Sequence, residues 1–205
     1  MIAIIDYGMG NVRSVHNALT YLGEEAVITA DAKEIDEAER LILPGVGAFG
    51  DAMTNLEARG LPPVLRQQVF EKRKPFLGIC LGLQLLAKCS PEHGNHRGLG
   101  WFDADVVRFD LGNGFKVPHM GWNKIDPAVT HPMFANLKER EFDFYFVHSL
   151  HIVCRDAQNV AATCTYGESF TAAIFKDNVF ATQFHPEKSQ DNGLQLLKNF
   201  ATWKP

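Results

Sequence analysis

One cysteine in this sequence is flanked symmetrically by glycines. In Gly78-Ile79-Cys80-Leu81-Gly82, a glycine stands two residues before and two residues after Cys80. Apolar residues typical of a strand precede it, and residues typical of a helix follow, so the segment predicts a sharp turn that presents a nucleophile. Glycine suits both flanking positions because such a turn leaves no space for a Cβ atom. The first helical amides would favour the thiolate of Cys80; the alternative is an ordinary buried cysteine.

A histidine and a glutamate near the C-terminus provide the base that a thiol nucleophile needs. His185 and Glu187 lie two residues apart, at the end of an apolar strand, and Pro186 stiffens the link between them. Residues i and i+2 of an extended segment project to the same side. Glu187 can therefore hold one imidazole nitrogen while the other faces the thiol. The tripeptide alone is also compatible with a solvated turn.

A third segment offers backbone donors for a developing oxyanion. Pro44-Gly45-Val46-Gly47 follows a predicted strand. The free amides of this flexible loop are candidates for an oxyanion hole together with the amide of Leu81, and two glycines let the peptide between them rotate at little steric cost. Loops of this composition also occur as plain turns.

Two other patterns point to no cofactor. Gly8-Met9-Gly10-Asn11-Val12-Arg13 begins like a dinucleotide fingerprint, but Arg13 stands where the third glycine is needed, and the sequence contains no phosphate-binding Gly-Lys-Ser/Thr loop. We expect no nucleotide cofactor. Cys89, His93 and His96 have loose metal-like spacing without a fourth ligand, so we expect a surface loop there and no metal.

The first half of the chain predicts a parallel sheet. Short apolar strands alternate with segments of helical periodicity, and this alternation is typical of doubly wound sheets with helices on both faces. The predicted strands cover residues 2–5, 26–29, 41–43 and 75–79. The predicted helices run from the N-cap Asn11 to Gly23, over 48–59, and onward from Pro62-Pro63.

The second half predicts an antiparallel extension of that sheet. Asn113-Gly114, within residues 106–117, suits a hairpin turn. Further strands are predicted at 142–147, 151–154, 171–176 and 179–184, followed by a helix over 191–203. We expect an α/β fold with an open, mixed, mainly parallel sheet and an antiparallel extension, and a single domain over residues 1–205.

Composition excludes several classes of function. The 205 residues include 20 basic and 24 acidic side chains, which provides no concentrated cationic surface for nucleic acid. The N-terminus has no basic leader, and no segment approaches the length of a membrane span. We expect a cytoplasmic protein without membrane or nucleic-acid partners, whose four cysteines are free thiols.

Six segments resemble the class I, or triad-type, glutamine amidotransferases, which have a flavodoxin-like fold. The similarity covers nearly the whole chain. The turn at Cys80 and the His-Pro-Glu element mark the class; Gly8-Met9-Gly10-Asn11 and the segment 118–123 are similar to its histidine-biosynthesis branch, the glutaminase subunits of imidazole glycerol phosphate synthase. The six segments are 6–11, 44–49, 78–86, 117–123, 145–149 and 183–189.

The resemblance implies a reaction, a partner and binding residues. Glutamine would be hydrolysed through a thioester on Cys80, and ammonia would pass to a cyclase subunit with a (βα)₈ barrel fold, which forms imidazole glycerol phosphate and aminoimidazole carboxamide ribonucleotide. Leu150 stands where many relatives have a large polar residue, so its contact would be made by the backbone. By position in the motifs, Gly47, Gln84, Ser149 and Leu150 would bind glutamine; Gly45, Val46 and Leu81 would form the oxyanion hole; Asn11 and Lys188 would face the cyclase.

Three other functions remain compatible with the sequence. The chain could serve another synthase, such as those making anthranilate or pyridoxal phosphate. It could be a non-catalytic binding module with the same fold, although the presence of Cys80, His185 and Glu187 argues against this. A cysteine peptidase or other thiol hydrolase of similar topology is the third alternative.

Overall fold

A nine-stranded mixed sheet forms the centre of the molecule. The structure is a computed structural model that describes residues 1–112, 114–137 and 142–205. The sheet strands are β1 (Ile2–Ile5), β2 (Ala26–Thr29), β3 (Arg40–Gly45), β4 (Phe76–Cys80), β8 (His119–Pro127), β9 (Asp143–His148), β11 (Val160–Tyr166), β12 (Glu168–Lys176) and β13 (Val179–Thr182). Their order in the sheet is β2-β1-β3-β4-β13-β12-β11-β8-β9.

The two ends of this sheet differ in strand direction. The strands β1 to β4 and β13 pair in parallel, whereas β12, β11, β8 and β9 add antiparallel pairs. Strands in the parallel part are connected through helices, which cover both faces and explain why β1 and β4 are completely buried. The predicted mixed sheet with an antiparallel extension is confirmed.

Helices pack on both faces of the sheet and divide the core in two. The helices are α1 (Val12–Tyr21), α2 (Ala32–Glu37), α3 (Phe49–Ala58), α4 (Leu61–Arg66), α5 (Leu81–Gln84) and α6 (Gln190–Thr202). Ala3 and Ile5 pack in one core cluster with α3 and α4, while Ile2 and Ile4 pack in the other with α1 and α6, because successive strand residues point to opposite faces.

A second, four-stranded sheet lies outside the central one. Its order is β10-β7-β5-β6, formed by β5 (Cys89–Ser90), β6 (His96–Arg97), β7 (Ala104–Arg108) and β10 (Leu150–Cys154). Leu150 and Ile152 bury their side chains in the first core cluster, so this sheet is packed against the central one. The strand β10 includes the predicted strand 151–154, but the sheet itself was not predicted, because β10 pairs with β7 across a long separation in the sequence.

The hairpin predicted around Asn113-Gly114 is wrong. Asn113 lies outside the described residues, but β7 and β8, the strands on either side, belong to different sheets. The helix α2 was also missed, since the sequence there shows only polar residues around Ile35. Its start is fixed by Asp31, whose side chain accepts hydrogen bonds from the amides of Lys33 and Glu34.

Candidate active site

Cys80 occupies a strained turn between β4 and α5. Its backbone has φ 55° and ψ −109°, a conformation that residues with a Cβ rarely adopt. A Cβ atom added to Gly82 would lie 1.9 Å from the carbonyl oxygen of Leu43, and one added to Gly78 would lie 2.9 Å from that of Gly82. Both glycines are therefore sterically required, as predicted. The helix that follows, α5, has four residues, a single turn.

His185 follows β13 and forms a close pair with Glu187. The distance from His185 Nδ1 to Glu187 Oε1 is 2.8 Å, and both side chains are 1% exposed. The same carboxylate oxygen accepts a hydrogen bond of 3.3 Å from the side-chain amide of Asn11. Asn11 was predicted to cap α1, yet its side chain makes no capping hydrogen bond and is directed to the glutamate instead.

The imidazole of His185 lies in a strongly charged environment. Burial lowers its pKa, but the negative charge of Cys80 and the carboxylate of Glu187 raise the pKa by more than burial lowers it. The resulting pKa is about 10. Among the described residues, Nε2 of His185 makes no well-aligned hydrogen bond, although the sulfur of Cys80 contributes to the raised pKa. The raised pKa favours the protonated form of the His185 imidazole, whose Nδ1 is bonded to Glu187.

A cavity of about 300 Å³ opens beside Cys80 and His185. Most of the residues predicted to bind glutamine or an oxyanion line it, whereas Gly45 does not. The sequence analysis assigned no role to four lining residues, Glu92, Pro118, Val147 and His148, and of these only Glu92 lies outside the six segments of the resemblance. Among the described residues, the lining is Val46, Gly47, Cys80, Leu81, Gln84, Glu92, Pro118, Val147, His148, Ser149, Leu150 and His185.

Glu92 brings a carboxylate into this cavity. It belongs to the segment predicted to be a plain surface loop, and its Oε2 accepts a 2.7 Å hydrogen bond from the amide of Phe49 at the start of α3. Its own amide lies 3.3 Å from the hydroxyl oxygen of Ser90. The carboxylate is therefore fixed in position rather than freely rotating. No local signal in the sequence marks it, since an acidic residue in a polar loop is usual.

The amide of Gln84 is already engaged within the protein. Its Nε2 donates to the carbonyl oxygen of Leu150 at 2.9 Å and to Oε1 of Gln183 at 3.1 Å. Gln84 thereby ties α5 to β10 and to the residue that follows β13. Only its oxygen is left for a hydrogen bond to a molecule in the cavity.

The predicted oxyanion loop has a rigid and an open part. Gly45 is buried and pairs with Cys80 across β3 and β4. A Cβ there would lie 2.6 Å from the hydroxyl oxygen of Tyr7 and 2.8 Å from Cβ of Leu81, so Gly45 is held closely against the turn. In contrast, Val46 is 40% exposed and Gly47 has φ +98°. Rotation of the loop is therefore confined to the peptides around Val46.

Tyr7 places a buried hydroxyl beneath the turn. The residue is completely buried, and its oxygen has no hydrogen-bond partner among the described residues. Burial and the charge of Cys80 raise the pKa of Tyr7 above its ordinary value. Its phenol therefore stays protonated and neutral.

The residues predicted to face a partner lie beside the triad. Lys188 is exposed and holds its ammonium group 5.7 Å from the ring centre of Tyr145. The backbone connects this pair to the catalytic candidates, because the amide of His185 donates to the carbonyl oxygen of Tyr145 at 2.9 Å.

The loop with metal-like spacing does not gather its three candidate ligands. Cys89 directs its thiol to Asp105, with 3.1 Å between sulfur and Oδ1, while His96 packs against Gly50 of α3. Within residues 1–112, 114–137 and 142–205, no group of three or more ligand-type side chains is arranged to hold a metal ion. In the same ranges, no helix has the length and apolar character needed to cross a membrane.

The fold and the Cys-His-Glu geometry together match one large enzyme class. Residues 3–203 match the sequence family described as glutamine amidotransferase class-I. The chain belongs to this family. Solved structures agree with the fold: a putative GMP synthase subunit from Thermoplasma acidophilum superposes with a TM-score of 0.72 at 22% identity, covering 98% of this chain and 91% of the other. PurLQS from Thermotoga maritima gives 0.75 at 20% identity, with 97% and 96% covered.

Full-length relatives define the branch within the class. The imidazole glycerol phosphate synthase subunit HisH of Geobacter sulfurreducens is 52% identical, with 99% of both chains covered. HisH 2 of Pseudomonas aeruginosa is 50% identical, with 98% of both covered, and HisH 2 of Nitrobacter winogradskyi is 49% identical, with 100% of this chain and 99% of the relative covered. The branch is that of the glutaminase subunits of imidazole glycerol phosphate synthase, which act in histidine biosynthesis.

Proposed function

We propose that this chain hydrolyses glutamine at Cys80 and delivers the ammonia to a cyclase subunit. The observation that carries the proposal is that Cys80 and His185 line one cavity, while the carboxylate of Glu187 lies 2.8 Å from Nδ1 of the His185 imidazole. The thiolate attacks the side-chain carbonyl carbon of glutamine, a C–S bond forms and the C–N bond breaks. The leaving ammonia takes its proton from the His185 imidazolium.

Hydrolysis of the resulting thioester returns the enzyme to its starting state. His185 accepts a proton from a water molecule as the water attacks the thioester carbon, and Cys80 leaves as a thiolate with release of glutamate. Glu187 holds the Nδ1 proton throughout, which keeps Nε2 directed at the reacting atoms. The amides of Val46 and Leu81, supported by Gly45, stabilise the oxyanion formed in each half of the reaction.

The cavity residues divide the recognition of glutamine between them. Glu92 supplies the only carboxylate among the described cavity residues and is the partner we assign to the α-ammonium group of the substrate. Gly47, Gln84 and Ser149, with the backbone of Leu150, bind the remaining polar groups. A Glu92→Gln variant should raise the KM for glutamine more than it lowers kcat.

The partner is a cyclase subunit with a (βα)₈ barrel fold, forming a heterodimer. Met120 is 62% exposed and Trp122 is 47% exposed, both on β8, and Trp122 contacts the ring of Tyr145 next to Lys188. We name these four residues the β8 surface. Large exposed apolar side chains beside a cation are typical of protein interfaces. This surface adjoins the triad, because Tyr145 accepts a hydrogen bond from the amide of His185, and Asn11 contacts Glu187.

Channelled ammonia requires turnover to follow the state of the partner. In water at neutral pH ammonia is mostly protonated and not nucleophilic, so unpartnered hydrolysis wastes glutamine. The rotatable Val46 peptide is a suitable gate, since loss of one oxyanion donor typically lowers the rate by about 10² to 10³. Lys188→Ala should weaken this coupling more than it weakens the basal rate.

Steady-state glutaminase kinetics test the proposal. Rates are measured for the isolated chain, for its complex with the cyclase, and for that complex holding its nucleotide substrate or an inert analogue. The rate should rise at each step, with glutamine-dependent formation of imidazole glycerol phosphate only in the complex. Equal rates in all three states would remove the gate, and absence of any glutamate release would remove the glutaminase assignment.

A further inference from the structure

A buried glutamine outside the proposed triad contacts the sulfur of Cys80. Gln183 lies between β13 and His185, is completely buried, and is not part of the triad or of the cavity lining. Its Nε2 is 3.8 Å from Sγ of Cys80, within reach of a hydrogen bond to sulfur. A buried amide in contact with a nucleophilic atom is a candidate for a chemical role beyond packing.

The orientation of this amide is fixed by its neighbour. The carbonyl oxygen of Leu150 can only accept, so the group of Gln84 that lies 2.9 Å from it must be the nitrogen. That nitrogen also lies 3.1 Å from Gln183, which must therefore present its oxygen to Gln84. The amide nitrogen of Gln183 is consequently left to face Cys80 as a donor.

The carbonyl of Leu150 is held in turn by a pair of buried histidines. Nδ1 of His148 is 2.9 Å from this oxygen and must donate to it, so Nε2 of His148 accepts from Nδ1 of His119 at 3.0 Å. Nε2 of His119 then accepts from Asn123 at 3.3 Å. Every donor and acceptor in this chain is determined, and both rings are neutral. We call it the histidine chain.

We propose that Gln183 is a further catalytic residue, whose side-chain amide donates a hydrogen bond to the Cys80 thiolate and whose orientation is set by Gln84 and the histidine chain. The proposal rests on the proposed glutaminase chemistry at Cys80. In its thiol form, Sγ of Cys80 donates to the carbonyl oxygen of Val147 at 3.9 Å. The amide stabilises the anion before attack, and again when the thioester carbon–sulfur bond breaks and the electron pair returns to sulfur.

Two substitutions of Gln183 remove its hydrogen-bond donor while keeping a side chain of similar size. Gln183→Met keeps an unbranched side chain of similar length but removes the donor. Gln183→Glu keeps the oxygen that accepts from Gln84 and replaces the nitrogen with a second oxygen, which repels a thiolate. The matched control is Gln68→Met, because Gln68 is also a buried glutamine, 2% exposed, but donates its amide to Asp36 far from the cavity.

Two measurements are made on each folded variant. The first is kcat and KM for glutamine in the complex with the cyclase; we expect Gln183→Met to lower kcat about tenfold to a hundredfold, as for a lost hydrogen bond to a charged group, with KM little changed. Gln183→Glu should lower kcat further. The second is the ultraviolet absorbance of the thiolate at neutral pH, referenced to Cys80→Ala, which should fall in both variants but not in Gln68→Met.

The outcomes distinguish this inference from the proposed function. Unchanged kcat and thiolate absorbance in either Gln183 variant would overturn the catalytic role, and a loss of stability with an intact thiolate signal would make Gln183 structural only. The absorbance does not depend on glutamine turnover. A thiolate signal lost with Gln183 in a protein that releases no glutamate would therefore support the hydrogen bond to Cys80 while removing the glutaminase assignment.

Discussion

At the scale of single residues, the imidazole of His185 is bonded to Glu187, and Glu187 is bonded to Asn11 at the start of α1. In the proposed reaction, Cys80 supplies the nucleophile and Glu187 fixes the tautomer of the imidazole. Because Glu187 shares one oxygen between Asn11 and His185, its position depends on elements far apart in the chain. Changes at these residues should therefore affect chemistry more than stability.

Replacing the nucleophile should separate the two halves of the synthase reaction. Cys80→Ala should abolish glutamine-dependent synthesis, while the complex should still use high concentrations of ammonium salt, since the cyclase site is untouched. The measurement is product formation with either nitrogen source. Cys89→Ala is the control, because Cys89 is an exposed free thiol outside the cavity. Loss of the ammonium-dependent reaction as well would show that Cys80 is structural.

The glutamate and the histidine should differ in their effect on turnover. Glu187→Gln leaves the base in place and disturbs only its orientation and charge support, so it should lower kcat less than His185→Ala; related triads lose up to about 10⁴-fold from such a change. The measurement is kcat for glutamine in the complex. A Glu187→Gln variant as fast as the parent would exclude Glu187 from the mechanism.

Two elements converge on Cys80, and their close approach sets the geometry of the turn. The strand β3 passes its Leu43 carbonyl directly over Gly82 of α5, and this contact closes the turn between β4 and α5. The histidine chain braces the other side, through β8, β9 and β10. The free energy of unfolding should therefore depend on the size of the side chain at Gly82 and on pH.

A single methyl group should disrupt the turn. Gly82→Ala places a Cβ 1.9 Å from a backbone oxygen of β3, which cannot move without shifting the sheet, so the free energy of unfolding should fall by about 1–3 kcal/mol or more and activity should be lost. Gly112→Ala is the matched control, because no heavy atom lies within 4 Å of its added Cβ. Chemical denaturation of both variants makes the comparison, and equal stability would contradict the steric argument.

The histidine chain should make the protein sensitive to acid. Burial lowers the pKa of His119 to about 4 and that of His148 to about 3, whereas both titrate near 6.5 in the unfolded chain. Between these pH values the unfolded state binds protons that the folded state does not. The two histidines therefore do not change the free energy of unfolding above about pH 6.5, and they lower it increasingly as the pH falls toward 4. Denaturation at several pH values should show this slope, and His119→Phe should reduce it. A slope unchanged in that variant would contradict the assignment.

At the scale of the whole molecule, the cavity and the β8 surface adjoin each other. Tyr145 accepts the backbone hydrogen bond of His185 and also contacts Trp122, so a partner bound at the β8 surface lies one residue from the triad. This adjacency provides a direct physical route for coupling between the two subunits. The single domain over residues 1–205 stays a prediction.

Binding of the cyclase should depend on the exposed aromatic residue of β8. Trp122→Asp should weaken the heterodimer by removing a large apolar contact and introducing a charge that must be desolvated. Val153→Asp is the matched control, since Val153 is 45% exposed, close to the 47% of Trp122, but lies on β10 in the other sheet. Titration calorimetry with the cyclase gives both affinities. Equal affinities would place the interface elsewhere.

Local patterns in the sequence determined the elements and the chemistry that rely on near neighbours. The glycines around Cys80 and the i, i+2 spacing of His185 and Glu187 predicted the turn and the close pair, because both depend on backbone geometry within a few residues. Apolar runs predicted the central strands, which are buried and therefore lack polar residues. The class of enzyme was predicted from the resemblance of six segments to a known family.

Only the tertiary structure decided the contacts between distant segments. Asn11 reaches Glu187 across 176 positions, and Gln183 reaches Cys80 across 103. Glu92 enters the cavity from a polar loop, and the four-stranded sheet pairs strands that lie far apart in the sequence, so that no local pattern predicts either arrangement. Packing of the two sheets brings these side chains together, and a polar residue's partner is fixed by that packing rather than by its sequence neighbours.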